Sequence, residues 1–141
     1  MDLLKADFAE VVEALKFKKI SAQEVTQFYL DRISKLDGKL NSYTHINQAA
    51  LQEAKNIDQK ILKGEEVGPL AGVVFGIKDL VCTKGMPSTT GSKMLQGFVP
   101  PYDATLVARL KNAGAIIVGK LNQDEFAMGS SNETSFYGSC K

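Results

Sequence analysis

A chain of 141 residues is long enough for one ordinary domain with a real core and short for two. Apolar residues make up 44% and charged residues 23%, which excludes a disordered or fibrous chain. Seventeen Lys and Arg oppose sixteen Asp and Glu, so no net field draws the chain to nucleic acid or an anionic membrane, and any contact with RNA would need a local patch.

The N-terminus, MDLLKADFAEVVEAL, carries acids in a helical pattern instead of a basic segment feeding an apolar signal core. No apolar run approaches the roughly 18 residues that span a bilayer. Cys82 and Cys140 are the only cysteines, and free thiols in a cytoplasmic protein are the plain expectation.

Asp7 followed by Glu10 predicts a capped helix whose Phe8, Val11, Val12 and Leu15 share a face. Ser21 with Glu24 repeats the signal for a second helix, with Val25, Phe28, Tyr29, Ile33 and Leu36 as its stripe and Gly38 as its expected end. Asn47 is expected to start a third helix, with Ala50, Ala54, Ile57 and Ile61 on one face and Gly64 as the stop. Periodicity in these segments reads as packing, with no catalytic role before residue 64.

The texture changes after residue 66. Val73 to Phe75 and Ile116 to Val118 are strand candidates, and Asp103 to Asn112 reads as a helix started by Asp103 that exposes Arg109 and Lys111. Residues 81 to 102 hold Gly85, Pro87, Gly91, Gly97, Pro100 and Pro101 and are expected to be mostly loop. Strand, long connection with a helix, then strand implies an α/β layer with a parallel element. The expected organisation is a helical segment over 1–66 and the start of an α/β core over 67–141.

GAIIVGKL at 114–121 satisfies the Gly-x-x-x-x-Gly-Lys part of a phosphate-binding loop. Leu121 stands where Ser or Thr would meet magnesium, and Ala115, Ile116, Ile117 and Val118 are strand material rather than an anion nest. A buried strand leaving through Gly119 into a solvent-exposed Lys120 is the preferred reading. Asp124 and Glu125 are adjacent acids, better explained by helix initiation around Asn122 than by a metal site. His45, the sole histidine, reads as a surface or turn residue rather than a ligand or a base.

One histidine and no Gly-x-Ser-x-Gly elbow leave little room for a Ser-His-Asp site. A serine enzyme with a lysine base is chemically available, because desolvation can keep a lysine neutral. Lys78, directly after the apolar run in PLAGVVFGIKDL, is the best placed for that role. On local context it could equally be a surface lysine or the ion-pair partner of Asp79.

Three blocks in order, PLAGVVFGIKD, GMPSTTGSKML and PPYDATLVARLKNAGAIIVGKLNQDEFAMGSSNETSFYG, resemble the amidase signature family between residues 69 and 138. Within it, EFAMGSSNETS resembles the branch that serves as the A subunit in Glu-tRNA(Gln) amidotransferases. The resemblance implies N-terminal helices followed by a mixed sheet covered by helices, incomplete relative to the family. It implies a Ser, a second bridging Ser and a Lys as the catalytic unit, with Lys78 as the lysine and Asp79 beside it. Thr89, Thr90, Gly91 and Ser92 match the block that follows the lysine. Gly129, Ser130 and Ser131 match a block that approaches the reaction site, with Met128 towards the substrate entrance, all in supporting roles.

The implied activity is hydrolysis of glutamine to supply ammonia for ATP-dependent formation of Gln-tRNA(Gln) from Glu-tRNA(Gln). The implied partners are a B subunit, which would handle the misacylated tRNA with ATP and magnesium, and a bracing C subunit. No cofactor or metal is expected in the present chain. Family members keep both catalytic serines in a later segment resembling Gly-Gly-Ser-Ser-Gly-Gly-Ser, whereas this sequence ends at SFYGSCK. The 141 residues alone are therefore expected to be inactive and to expose apolar sheet edges. A stand-alone amidase, or a noncatalytic partner-binding fragment, is the alternative.

Overall fold

The computed structural model describes all 141 residues. Helix α1 (Phe8–Lys16) begins where local chemistry dictates: Asp7 Oδ1 accepts from Glu10 N at 2.9 Å and Glu10 Oε2 accepts from Asp7 N at 2.9 Å. Ser21 and Glu24 repeat this reciprocal cap at α2 (Ala22–Leu40). Contrary to expectation, Gly38 does not end α2; the helix runs on to Leu40, and Asn41 closes it in the left-handed region at φ 55°.

A short strand that the sequence reading missed, β1 (Tyr43–Ile46), follows. Helix α3 (Ala50–Leu62) then starts three residues beyond Asn47. The Asn47 side chain still shapes the turn, since its Oδ1 accepts from Ala49 N at 3.0 Å, but its Nδ2 donates to Ile117 O at 2.8 Å. From α3, Asp58 accepts from Ala22 N and Gln23 N at 2.8 and 3.0 Å. A carboxylate thus sits on the positive end of α2 and joins the two helices.

Strand β2 (Val74–Lys78) is followed by the long loop, interrupted only by a 3-10 turn at Lys93–Leu95. Helix α4 (Thr105–Asn112) starts two residues later than expected, because Asp103 does not cap it. Instead Asp103 accepts from Lys84 N at 2.7 Å and pairs with Lys111 at 2.9 Å. Strand β3 (Ile116–Leu121) completes the sheet.

The strand order is β1-β3-β2, with β2 parallel and β1 antiparallel to the central β3. One apolar cluster packs α1, α2 and α3 on Ile116 and Val118; a second puts Ile117 and Ile77 against Val107 of α4. Cover on both faces explains why β3 reads as a continuous apolar run. β1, from the first 66 residues, pairs with β3, and the larger cluster draws on residues from both halves of the chain.

Packing also accounts for the glycines of GAIIVGKL. Gly114, at φ 86°, lies so near Ala71 that a Cβ would come within 2.9 Å of its Cα. A Cβ at Gly119 would collide with the carbonyl oxygen of His45 on β1. The expected outcome for Gly119→Ala is therefore a loss of about 1–3 kcal/mol in chemical denaturation. Gly38→Ala, in an open helical position with nothing within 4 Å, should instead gain about 0.5–1 kcal/mol. An unaffected Gly119→Ala protein would contradict the close approach of β1 to β3.

Candidate active site

Parallel strands release their following loops at one edge, and in open α/β sheets that carboxyl edge is where ligands bind. Here β2 and β3 end together, with Asp79 N donating to Leu121 O at 2.9 Å. The segments 79–92 and 122–138 leave from this edge, and with Lys78 at its end they contain every residue singled out for the site.

Consecutive residues at a strand end point to opposite sides. Lys78 is exposed and takes part in none of the ion pairs, whereas Asp79 is fully buried. The two are therefore not an ion pair with each other. Asp79 accepts from Thr89 N at 3.2 Å, from Thr89 Oγ1 through a short hydrogen bond, and from Gly91 N at 3.4 Å.

The cation facing Asp79 is Lys120, and here the sequence reading is corrected. Far from being exposed, Lys120 is the largest fully buried side chain in the molecule. Its Nζ donates to Val81 O at 2.6 Å and to Ser88 Oγ at 2.7 Å, and lies 3.9 Å from Asp79 Oδ1. The cause is a bulge. Phe75 pairs with Ile117 but Gly76 pairs with Gly119, so Val118 is an extra residue in β3. That insertion resets the inside–outside alternation, and no propensity marks it in the sequence. Burial pushes the Lys120 ammonium below the usual lysine range, while the charges of Asp79 and Cys82 pull it back up.

His45 lies on β1, half-buried, not in a turn. Burial and then the Lys120 charge lower its pKa, against an opposing pull from Asp79.

The second loop is arranged around Asp124. Its carboxylate accepts from Asn132 N at 2.8 Å, Glu133 N at 2.8 Å, and Thr134 N and Oγ1 at 3.0 Å. These bonds hold the carboxyl at about 2, well below the usual range. With both oxygens committed to donors, Asp124 is neither half of a metal site nor a helix cap. The expected helix around Asn122 is only a 3-10 turn at Glu125–Ala127. Gly129 permits the fold-over, since a Cβ there would lie 2.5 Å from Asp124 Oδ2. Asn122 anchors the loop's base, donating to Asn41 O and Gly138 O at 2.9 Å and accepting from Ser135 Oγ at 2.6 Å.

The two loops meet where Ser92 Oγ donates to Glu125 Oε1 at 2.5 Å and Phe126 N donates to Thr90 O at 2.9 Å. Thr90 sits in the left-handed region at φ 54°. Thr89 and Ser92 are thus buried supports, while Met128, Gly129, Ser130 and Ser131 form an exposed rim. The sequence reading missed Ser88, Lys120, Asn122 and the anchoring role of Asp124. Only the two acids at 124 and 125 carried any local signal.

Residues 24–141 match the family model described as Amidase. The A subunit of glutamyl-tRNA(Gln) amidotransferase in Bdellovibrio bacteriovorus is 59% identical over 141 residues, all of this chain and 29% of that relative. The Cutibacterium acnes protein of the same name is 51% identical over 138 residues, 97% of this chain and 28% of that relative. The chain therefore spans under a third of the length of these curated relatives. Among solved structures, native peptide amidase from Stenotrophomonas maltophilia aligns with a TM-score of 0.89 at 34% identity, covering 99% of this chain and 30% of that one. The glutamyl-tRNA(Gln) amidotransferase A subunit from Thermotoga maritima aligns with a TM-score of 0.70 at 31% identity, covering 85% of this chain and 24% of that one.

Because the Asp124 carboxyl is held at about 2 in the folded chain, it stabilises the loop above its unfolded value of about 3.9, and that contribution disappears as pH falls through about 2. Protection factors of the Asn132, Glu133 and Thr134 amides should fall over this window, and Asp124→Asn should lower them already at neutral pH. Unchanged protection in Asp124→Asn would contradict the anchoring role.

Proposed function

Because this chain belongs to the amidase family, we propose that it carries the base lysine, and the frame around it, of the glutamine-hydrolysing component of a Glu-tRNA(Gln) amidotransferase. The observation that supports this most is 59% identity along the whole chain to an A subunit of that name. Lys78 is the base: it stands at the carboxyl edge of β2, free of any anionic partner and open to an incoming group. A carboxylate partner would favour the ammonium form, which has no lone pair to accept a proton; Asp79 faces away and is occupied by Lys120, Thr89 and Gly91.

In the reading that the family resemblance supports, neutral Lys78 takes a proton through a bridging serine as a nucleophilic serine attacks the side-chain amide of glutamine. The acyl-enzyme forms as ammonia leaves, and water then regenerates the serine. In family members both serines and the glycine-rich oxyanion donors belong to a segment resembling Gly-Gly-Ser-Ser-Gly-Gly-Ser, which these 141 residues do not contain. The resemblance implies supporting roles for Met128, Gly129, Ser130 and Ser131, which are exposed on the second loop. The ammonia would pass to a B subunit, where ATP and magnesium activate Glu-tRNA(Gln), with a C subunit bracing the pair. A cytoplasmic location follows from that role in translation.

A stand-alone amidase is the second reading, favoured by the TM-score of 0.89 to peptide amidase. Identity weighs against it: 34% to that amidase, compared with 51% and 59% to the two amidotransferase relatives.

In the intact protein with its partner subunits, Lys78→Ala should reduce ammonia release from glutamine by roughly 10²- to 10⁴-fold. The melting temperature should barely change, because the side chain is exposed. Near-parental turnover would remove Lys78 as the base, and faster release from a peptide amide than from glutamine would favour the second reading.

A further inference from the structure

The residue that the proposed mechanism leaves unused is the buried lysine one strand away from the exposed one. A fully buried ammonium is costly unless acceptors surround it, and a methionine of similar length would fill the same space without that cost. Lys120 has two hydrogen-bond acceptors, Val81 O at 2.6 Å and Ser88 Oγ at 2.7 Å, and a counter-charge in Asp79 Oδ1 at 3.9 Å. All three belong to the stretch 79–88 that leaves β2 directly after Lys78, and Ile77 is the ladder partner of Lys120. The residue that follows Lys78 in sequence is Asp79, a carboxylate with no exposed surface and therefore little screened by salt.

Resting on the reading of Lys78 as the base, we propose that Lys120 is a positioning residue for it. Its ammonium balances the charge of Asp79 while its hydrogen bonds to Val81 and Ser88 pin the chain that leaves Lys78. Without that balance, Asp79 would hold Lys78 in its protonated, non-basic form. Without Asp79, the Lys120 charge alone would drive Lys78 towards the neutral form. Three titratable groups face Lys120: Asp79 at the end of β2, Cys82 in the following loop and His45 on β1, with Tyr102 next to Cys82. Of these, Asp79 is the one that is a direct sequence neighbour of Lys78.

The test is the pH profile of kcat/KM for glutamine hydrolysis by the intact protein, in which the rising limb reports deprotonation of the base. In Lys120→Met the limb should move to higher pH by about one unit, and in Asp79→Asn to lower pH by about the same amount. The double variant should return close to the parental profile, an outcome that mere damage to packing would not produce. Single variants whose limbs stay in place, or move in the same direction, would overturn the proposal while leaving Lys78 as the base. An active Lys78→Ala protein would instead overturn the reading on which the proposal rests.

Should the single variants fail to fold, the parent itself decides through the Cε resonance of Lys120 in lysine-labelled protein. That resonance should stay at its ammonium position across the pH range of activity. A neutral Lys120 at the pH of maximal turnover would overturn the proposal.

Discussion

A lysine and an aspartate, neither with any exposed surface, face each other at 3.9 Å where two parallel strands end. At an effective dielectric constant near 20 their attraction is about 4 kcal/mol, comparable with the several kcal/mol needed to remove each ion from water. Such a pair adds little net stability over apolar side chains, but losing one partner leaves the other buried and unpaired. The fold meets this constraint with hydrogen bonds: Val81 O and Ser88 Oγ receive Lys120, and Thr89 and Gly91 donate to Asp79. Satisfying the pair therefore fixes the path of the chain from residue 79 to residue 91.

The opposite half of the edge follows the same logic with one ion. Asp124 gathers the backbone donors of residues 132–134, as a helix cap gathers the first free N–H groups. The bond between Ser92 and Glu125 joins the two halves. Lys78 is thus exposed and outside any ion pair, on a strand whose following loop is tied by hydrogen bonds to two buried charged side chains.

What could be read from the sequence was what local chemistry decides. The caps at Asp7 and Ser21 depend on residues three apart, and α1 and α2 begin there. The apolar runs at 73–75 and 116–118 lie in β2 and β3 or directly beside them because β3 is covered on both faces. The amidase blocks carried the family, which the comparisons bear out. β1 was not legible, since four half-buried residues between two helices carry too short a pattern. Lys120 was not legible either, because its burial follows from the extra residue Val118, and a register shift is a property of two strands rather than of one. The glycine at 119 misled for a related reason: it answers to the carbonyl of His45, some seventy residues earlier in the chain.

The most direct measurement is a double-mutant cycle in chemical denaturation with Lys120→Met and Asp79→Asn. If the pair is the shared constraint, each single substitution strands a buried charge and should cost about 3–5 kcal/mol. The double substitution should then cost far less than the sum, with a coupling of at least about 2 kcal/mol. Additive costs would contradict the claim that these two buried ions hold the edge together.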